Sequence, residues 1–354
     1  MIFFERRCAI LRQSVLVIPL VFLFSSAAPA EDSAPRAIPD ERVRALQELR
    51  FGMFICWSFS TFSGYEWTPG VEDVSFFNPT GFDPGQWCRV AKDAGMGYIL
   101  FLTKHHDGFC LWDTKTTERK VTRSSLGVDV LAEVKKSCDQ HGLQLALYFS
   151  EGDWSWSGRK DIHKSVARPE IKKAQLRELL TGYGPIEYIW FDHAINDGGL
   201  SHPETAEFVQ SLQPDCFVGF NHGDQTGANI RVGERGKPGP LEDHAAAGPH
   251  MRDAAVSTYR LAEFTYPILE GQDRKKLRGA QWFYSLPEND AQCASVEKIY
   301  KDYLGAVKYG NLFSLNVGPD RSGSLRAIDV ATLEKVGRAI RGESKPPESP
   351  SPKQ

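Results

Sequence analysis

The run Tyr98-Ile99-Leu100-Phe101-Leu102-Thr103 is apolar without alternation and stops abruptly at Lys104-His105-His106-Asp107-Gly108-Phe109. A short β-branched and aromatic run of this kind reads as a strand buried on both faces. Such strands belong to parallel sheets covered by helices, which places the chain in the α/β class. Two histidines, a lysine and an aspartate then stand where the strand would leave the core. In α/β folds the loops after the carboxyl ends of the strands build the active site. For a single cluster a solvated loop is the plain alternative; the argument for function comes from recurrence along the chain.

Strand-like and helix-like segments alternate from residue 51 onward. Phe51 to Ile55 is a short buried strand. Asp83 to Ala94 reads as a helix, with Asp83 as N-cap and Pro84 at its first position. Val128 to His141 is amphipathic and closes at Gly142, a C-terminal signal. Further strands are expected at Gln144 to Phe149, Ile186 to Phe191, Cys216 to Phe220, Gly279 to Tyr284 and Leu312 to Val317. Helices are expected at Arg168 to Thr181, Glu204 to Leu212, Ser295 to Lys308 and Ile328 to Ile340. The stretch Asn221 to Arg260 is rich in Gly, His and charge and lacks periodicity, as functional loops do. With one more strand near Phe264 to Leu269, eight strand–helix units result. The expected fold is a (β/α)8 TIM-like barrel. A doubly wound open sheet is the alternative, weakened because no GxGxxG follows the first strand.

Arg6 and Arg7 precede an apolar stretch from Ser14 to Phe24, and Ala28-Pro29-Ala30 fits a small-x-small cleavage site. Residues 1–30 therefore read as a secretory signal peptide, with an uncleaved anchor as the alternative. The barrel is expected over residues 31–342 and a disordered tail, rich in Pro, Ser and Lys, over 343–354. Export implies a secreted or periplasmic protein without stable membrane association after cleavage. A net charge of −3 offers no basic surface for nucleic acid. Cys56, Cys88, Cys110, Cys138, Cys216 and Cys293 are scattered without CxxC spacing, which argues against structural zinc. They read mostly as buried thiols, although export permits a disulfide or two.

On a barrel, polar residues at the strand ends face one cleft. In order they are Cys56 and Trp57, with Glu66 and Trp67 following; His105 and His106; Tyr148, Glu151, Asp153 and Trp154; Trp190 and Asp192; Asn221 and His222; then Glu263, Trp282 and Asn316. A set heavy in Trp, His and carboxylate suits a sugar, with aromatic faces on C–H surfaces and polar groups on hydroxyls. Asp192 directly follows the buried run Tyr188-Ile189-Trp190-Phe191, so it is the candidate nucleophile or base. A capping or turn aspartate is the alternative.

These residues carry a resemblance to the α-L-fucosidases of glycoside hydrolase family 29. Phe51-Gly52-Met53-Phe54-Ile55-Cys56-Trp57 resembles the family's FGIFIHWG opening, and Glu66-Trp67 its EW pair. Thr103 to Phe109 with Leu111-Trp112-Asp113 matches the long TKHHDGF-x-LWD signature. Glu178-Leu179-Leu180, Tyr183-Gly184-Pro185 and Trp190-Phe191-Asp192 resemble its ELL-x-x-YGP…WFDG segment, and Gly310 to Pro319 its GNLLLN-x-GP. The resemblance implies a retaining exo-glycosidase that removes terminal α-L-fucose from fucosylated glycans or oligosaccharides, without metal or other cofactor. It makes Asp192 the nucleophile and has Glu66, Trp67, His105, His106, Tyr148 and Trp190 bind the sugar; Trp282 joins them as a strand-end aromatic. Glu263 is the expected acid/base, since an apolar setting raises a carboxyl pKa; Glu270 and Glu242 are its rivals. Cys56 stands where the family carries a hydroxyl-binding His, and a thiol is a poorer donor. His193 replaces the Gly after the nucleophile. The sugar-binding arginine has only Arg231 and Arg235 as stand-ins, and the C-terminal β-sandwich of many relatives is expected to be missing. A glycosidase for a related sugar, such as a galactoside, and a non-catalytic carbohydrate-binding barrel are the other readings.

Overall fold

The computed structural model describes Met1 and residues 38–68, 70–157, 168–193, 198–223, 225–234, 237–240, 259–269, 279–285 and 287–345. The described residues from 38 onward belong to one compact unit. The expected signal peptide, nearly all of the expected tail, and Arg235, Glu242 and Glu270 lie outside the described residues. Among the described residues, no helix is long and apolar enough to cross a membrane.

After the short helix α1 (Asp40–Gln47), a parallel sheet is laid down strand by strand: β1 (Phe51–Ile55), β2 (Tyr98–Lys104), β3 (Gln144–Ser150), β4 (Tyr188–Asp192), β5 (Phe217–Phe220), β6 (Ile230–Arg231) and β7 (Leu261–Pro267). A hairpin of two-residue strands, β8 (Gly279–Ala280) and β9 (Tyr284–Ser285), stands apart from it, and β10 (Leu312–Asn316) completes it. The spatial order is β5-β4-β3-β2-β1-β10-β7-β6, eight strands with every pairing parallel. The edges β5 and β6 meet through Asn229. Its main-chain N–H donates to the Val218 carbonyl at 3.0 Å, and its side-chain Oδ1 accepts from the Val218 N–H at 2.7 Å. A side-chain amide thus supplies one rung, and the barrel is nearly closed.

The connections carry α2 (Phe59–Ser63), α3 (Pro84–Asp93), α4 (Val130–His141), α5 (Pro169–Gly182), α6 (His202–Leu212), α7 (Val296–Val307) and α8 (Ala327–Ile340). Their ends follow local chemistry. Asp83 caps α3 by accepting from the Gln86 N–H at 2.8 Å, Asp129 caps α4 through Ala132 at 2.9 Å, and Gly142 leaves α4 at φ 63°. Both faces of the sheet are covered, and β1, β2, β4, β5, β7 and β10 are buried along their whole length.

Two sequence expectations change. The stretch Gly279 to Tyr284 is the off-barrel hairpin, not a barrel strand. The missing strand is β6, inside the aperiodic stretch after Asn221. A two-residue strand carries no measurable period, so only its neighbours reveal it.

The barrel interior is filled by side chains in layers. Near its amino-terminal end the Tyr98 hydroxyl lies 2.6 Å from Ser314 Oγ, and the Tyr188 hydroxyl 3.4 Å from the same atom. Gly52 makes this layer possible, since a Cβ there would stand 2.3 Å from the Tyr98 ring.

Candidate active site

The polar cluster after β2 divides between two compartments. Lys104 points outward into the layer beneath α5, where its Nζ donates to Asp153 Oδ2 at 3.0 Å and to Gln175 Oε1 at 3.2 Å. His105 and His106 turn inward, their rings 4.0 Å apart. His106 Nδ1 lies 2.6 Å from Ser150 Oγ, and its Nε2 lies 3.6 Å from Asp192 Oδ2. Burial and the adjacent His106 hold His105 well below the usual imidazole pKa, so it is neutral.

Asp192, the last residue of β4, is the focus of the strand ends. Its Oδ2 accepts from the Tyr148 hydroxyl at 2.5 Å. Its Oδ1 accepts from Asn221 Nδ2 at 2.8 Å and from the His193 N–H at 2.7 Å, with His222 Nδ1 3.5 Å away. Burial pushes the carboxyl pKa up. The fields of His106 and His222 and the bonds from Tyr148 and Asn221 together outweigh that push and hold it below the usual carboxylate range. The group is therefore an ionised carboxylate at neutral pH, with both oxygens held in place.

Asn221 also donates from the same Nδ2 to Glu234 Oε1 at 3.0 Å. Both oxygens lie against this one nitrogen, which carries two hydrogens and can donate to each carboxylate, so they stand less than about 6 Å apart. Glu234 is half-buried and reaches this place because the chain after β6 keeps following β7, with a bridge between Glu234 and Thr265. A buried amide thus holds two carboxyl groups at a fixed short separation in the mouth of the barrel.

The other expected residues fall into three groups. Cys56 is buried at the end of β1. Burial and the fields of Glu66, Asp192 and Glu234 push its thiol up, so it is an un-ionised S–H in the same pocket. Trp282 stands 6.0 Å from Phe54, which stands 5.6 Å from Tyr148, and Phe283 meets the His105 ring at 4.9 Å. Gly318 allows this wall, because a Cβ there would sit 1.3 Å from the Phe283 carbonyl oxygen. Glu66 is half-buried near Cys56, and Trp67 is 43% exposed on the same loop.

Trp190 and Glu263 are placed differently from the expectation. Trp190 is buried beside Tyr148, with rings stacked at 5.5 Å, and its Nε1 donates to Glu263 Oε2 at 3.1 Å rather than into the mouth. Glu263 is the third residue of β7, in register with Leu312 at the start of β10. At about 3.3 Å per residue it lies roughly 13 Å along the strand from Pro267 at the carboxyl end. Its surroundings are Tyr98, Tyr188 and Ser314, the filling of the barrel base. Burial lifts its carboxyl to about 8, against hydrogen bonds from Ser314 and Trp190. The apolar setting was read correctly from the sequence; the level in the barrel was not.

Glu234 was missed as an acid/base candidate because no strand was expected before it. The signal available was Ile230-Arg231-Val232, a short apolar-flanked run ahead of Gly233-Glu234. His105, His106 and Asp192 also present ligand-type atoms within 4.8 Å of one another. Both Asp192 oxygens accept hydrogen bonds and His106 Nδ1 lies against Ser150 Oγ, so carboxylate and ring are held in orientation.

Comparison with known proteins bears on the fold and the family. The family described as Alpha-L-fucosidase matches residues 30–344. Alpha-L-fucosidase 1 of Arabidopsis thaliana is 28% identical over 321 residues, covering 84% of this chain and 59% of its own length. The chain thus spans about six-tenths of that relative. A glycoside hydrolase 29 family member from an unknown rumen bacterium superposes with a TM-score of 0.67 at 27% identity, covering 87% of this chain and 58% of its own. An alpha-L-fucosidase of the same family from Bacteroides thetaiotaomicron shares the fold at a TM-score of 0.71 and 23% identity, over 89% of this chain and 77% of its own. With an eight-stranded barrel, an oriented strand-end carboxylate and a family match across nearly the whole chain, the protein belongs to the alpha-L-fucosidase family, glycoside hydrolase family 29.

Proposed function

We propose that the protein is a retaining exo-α-L-fucosidase acting on fucosylated glycans, with Asp192 as nucleophile and Glu234, in place of Glu263, as acid/base. The observation that carries this reading is the amide of Asn221 held between the two carboxyl groups. Retaining glycosidases need their carboxyl pair about 5–5.5 Å apart, and two carboxylate oxygens sharing one amide nitrogen are compatible with such a close pair. In the first step Asp192 attacks the anomeric carbon and forms an ester to it. The glycosidic C–O bond breaks, and Glu234 donates its proton to the departing oxygen. In the second step Glu234, now a carboxylate, takes a proton from water. The water oxygen attacks the anomeric carbon, fucose leaves, and Asp192 and protonated Glu234 are restored.

The surroundings serve these steps. Three donors keep Asp192 ionised and aimed, so attack needs no prior proton transfer. The Tyr148 hydroxyl is the donor that must yield as negative charge leaves Asp192 for the ester. His105, His106, Glu66, Trp67 and Trp282 are proposed to hold the sugar hydroxyls and ring. A related sugar remains the second reading, favoured by one observation: the neutral thiol of Cys56 at a pocket position where the family has an imidazole. The leader in residues 1–30 extends the proposal to export, which would give a mature chain starting after Ala30.

Turnover of an aryl α-L-fucoside, followed by NMR of the first-formed anomer, tests the reading. Release of the α-anomer, with turnover reduced at least about 10³-fold in Asp192→Asn, is expected. Release of the β-anomer would reject retention. Full activity in Asp192→Asn would reject the nucleophile. Binding of fucosides without turnover in the native protein would favour the carbohydrate-binding barrel.

A further inference from the structure

We infer that Cys88 and Cys138 form a disulfide that ties α3 to α4 when the chain matures under oxidising conditions. Their sulfurs lie 3.9 Å apart, and both side chains are buried between these successive barrel helices. Among the six described cysteines this is the sulfur–sulfur contact; Cys110, Cys216 and Cys293 instead meet Gly108 and Gln175, Phe217, and Ala294 and Thr332. Neither thiol faces the barrel mouth, and the proposed glycosidase reaction uses neither. A bonded sulfur pair needs about 2.05 Å, so closing the contact takes an approach of about 2 Å between two helices already packed together.

The bond forms by thiol–disulfide exchange. The thiolate of one cysteine attacks the disulfide of a small-molecule or protein oxidant, such as oxidised glutathione, and expels one thiolate. The sulfur of the other, deprotonated, then attacks the first in the mixed disulfide and expels the second. Two protein thiols lose two protons and two electrons, and one oxidant disulfide becomes two thiols. Because both sulfurs are buried in the folded barrel, this exchange belongs to folding, before α3 and α4 close on each other. The expected leader supplies the compartment in which it would occur, but the chemistry does not depend on the leader.

The full chain, unfolded in reductant and refolded in a mixture of reduced and oxidised glutathione, is the test. Maleimide labelling of the denatured, alkali-free product should mark every cysteine of residues 38–345 except Cys88 and Cys138. Peptide mapping without reductant should recover their two peptides cross-linked. Reductant should lower the Tm of the native product by several degrees, as expected for a bond closing a loop of about fifty residues. Cys88→Ser and Cys138→Ser should each abolish that reductant sensitivity. A native refolded product with both thiols free, or with either sulfur joined to a different cysteine, overturns the inference. The result is read independently of fucoside turnover, so a failure of the glycosidase reading leaves it standing or fallen on its own.

Discussion

The two ends of this barrel hold acidic side chains in opposite states. At the carboxyl-terminal end Asp192 is buried yet ionised, because Tyr148, Asn221 and the His193 N–H donate to it and His106 and His222 stand close by. At the amino-terminal end Glu263 is buried among Tyr98, Tyr188 and Ser314, and its carboxyl is lifted to about 8. Depth of burial does not separate them. The number of donors and positive fields facing each group does. The difference teaches that a perturbed carboxyl is a functional candidate only after its level in the barrel is known. An elevated pKa suits a general acid, but Glu263 stands where a sugar entering from the strand ends does not reach.

The sharpest way to break this comparison is to neutralise one carboxyl at each end. Glu234→Gln should lower kcat on a fucoside with a poor leaving group by about 10²–10⁴-fold, the range removed with a general acid. The loss should be smaller for an aryl fucoside whose leaving group needs little protonation. Glu263→Gln should leave kcat within a few-fold, since an amide can still accept from the Trp190 N–H. Steady-state kinetics on both substrates decide it. The reverse pattern would return the acid/base role to Glu263.

The same substitution sharpens the contrast through stability. An unfolded Glu loses its proton near 4.5, whereas folded Glu263 keeps it to about 8. Between those values the unfolded state has released a proton that the folded state still binds, so rising pH favours unfolding. Stability is lost progressively from about pH 4.5 and the loss levels off above about pH 8. At about 1.4 kcal/mol per pK unit the full effect is on the order of 3–5 kcal/mol. Glu263→Gln should thus match the parent near pH 4.5 and exceed it at pH 8. Denaturant midpoints measured across that range check it; parallel curves would show that the carboxyl ionises freely.

What was legible in the sequence follows the same division. Runs such as Tyr98 to Thr103 and Tyr188 to Phe191 are long, apolar and punctuated by Pro84, Gly142 and a terminal aspartate, so these strands, their order and the strand-end position of Asp192 could be read. Strand β6 is two residues long and is completed by the Asn229 side chain, which no periodicity reports. Losing β6 hid Glu234, and the hairpin at Gly279 took the vacant place in the count. Glu263 was misplaced for a related reason. With the strand expected near Phe264 to Leu269, Glu263 was still counted among the strand-end residues; β7 runs from Leu261 to Pro267 and leaves the glutamate near its start. Side-chain chemistry was readable; its height along a strand depended on strand ends that the sequence does not mark.

Within the mouth, Cys56 tests how far the pocket has departed from its family. Burial and the fields of Glu66, Asp192 and Glu234 keep the thiol protonated, so it offers only a weak donor. Cys56→His should lower KM for an aryl α-L-fucoside by up to about tenfold, the worth of one added hydrogen bond. Loss of turnover instead would mean that the surrounding side chains have closed around sulfur, and would favour a different sugar.

The smallest expected effect lies one residue past the proposed nucleophile. His193 sits at φ 53°, in the left-handed region, where a Cβ crowds the following carbonyl at a cost of roughly 1–2 kcal/mol. The chain accepts this conformation because it aims the His193 N–H at Asp192 Oδ1, 2.7 Å away. Glycine adopts the same angles freely, although its looser unfolded state returns part of the gain. His193→Gly should therefore raise stability by about 1 kcal/mol or less and leave the donor in place. The imidazole ring would be lost from its position 5.1 Å from His106 and 6.4 Å from His222. If the ring only fills space, kcat on an aryl fucoside stays within about twofold, the order of change that a fraction of a kcal/mol produces. A fall in kcat alongside a rise in Tm would show that the strained histidine is kept for its ring, and that the anion-holding shell of Asp192 extends one side chain further than its direct donors.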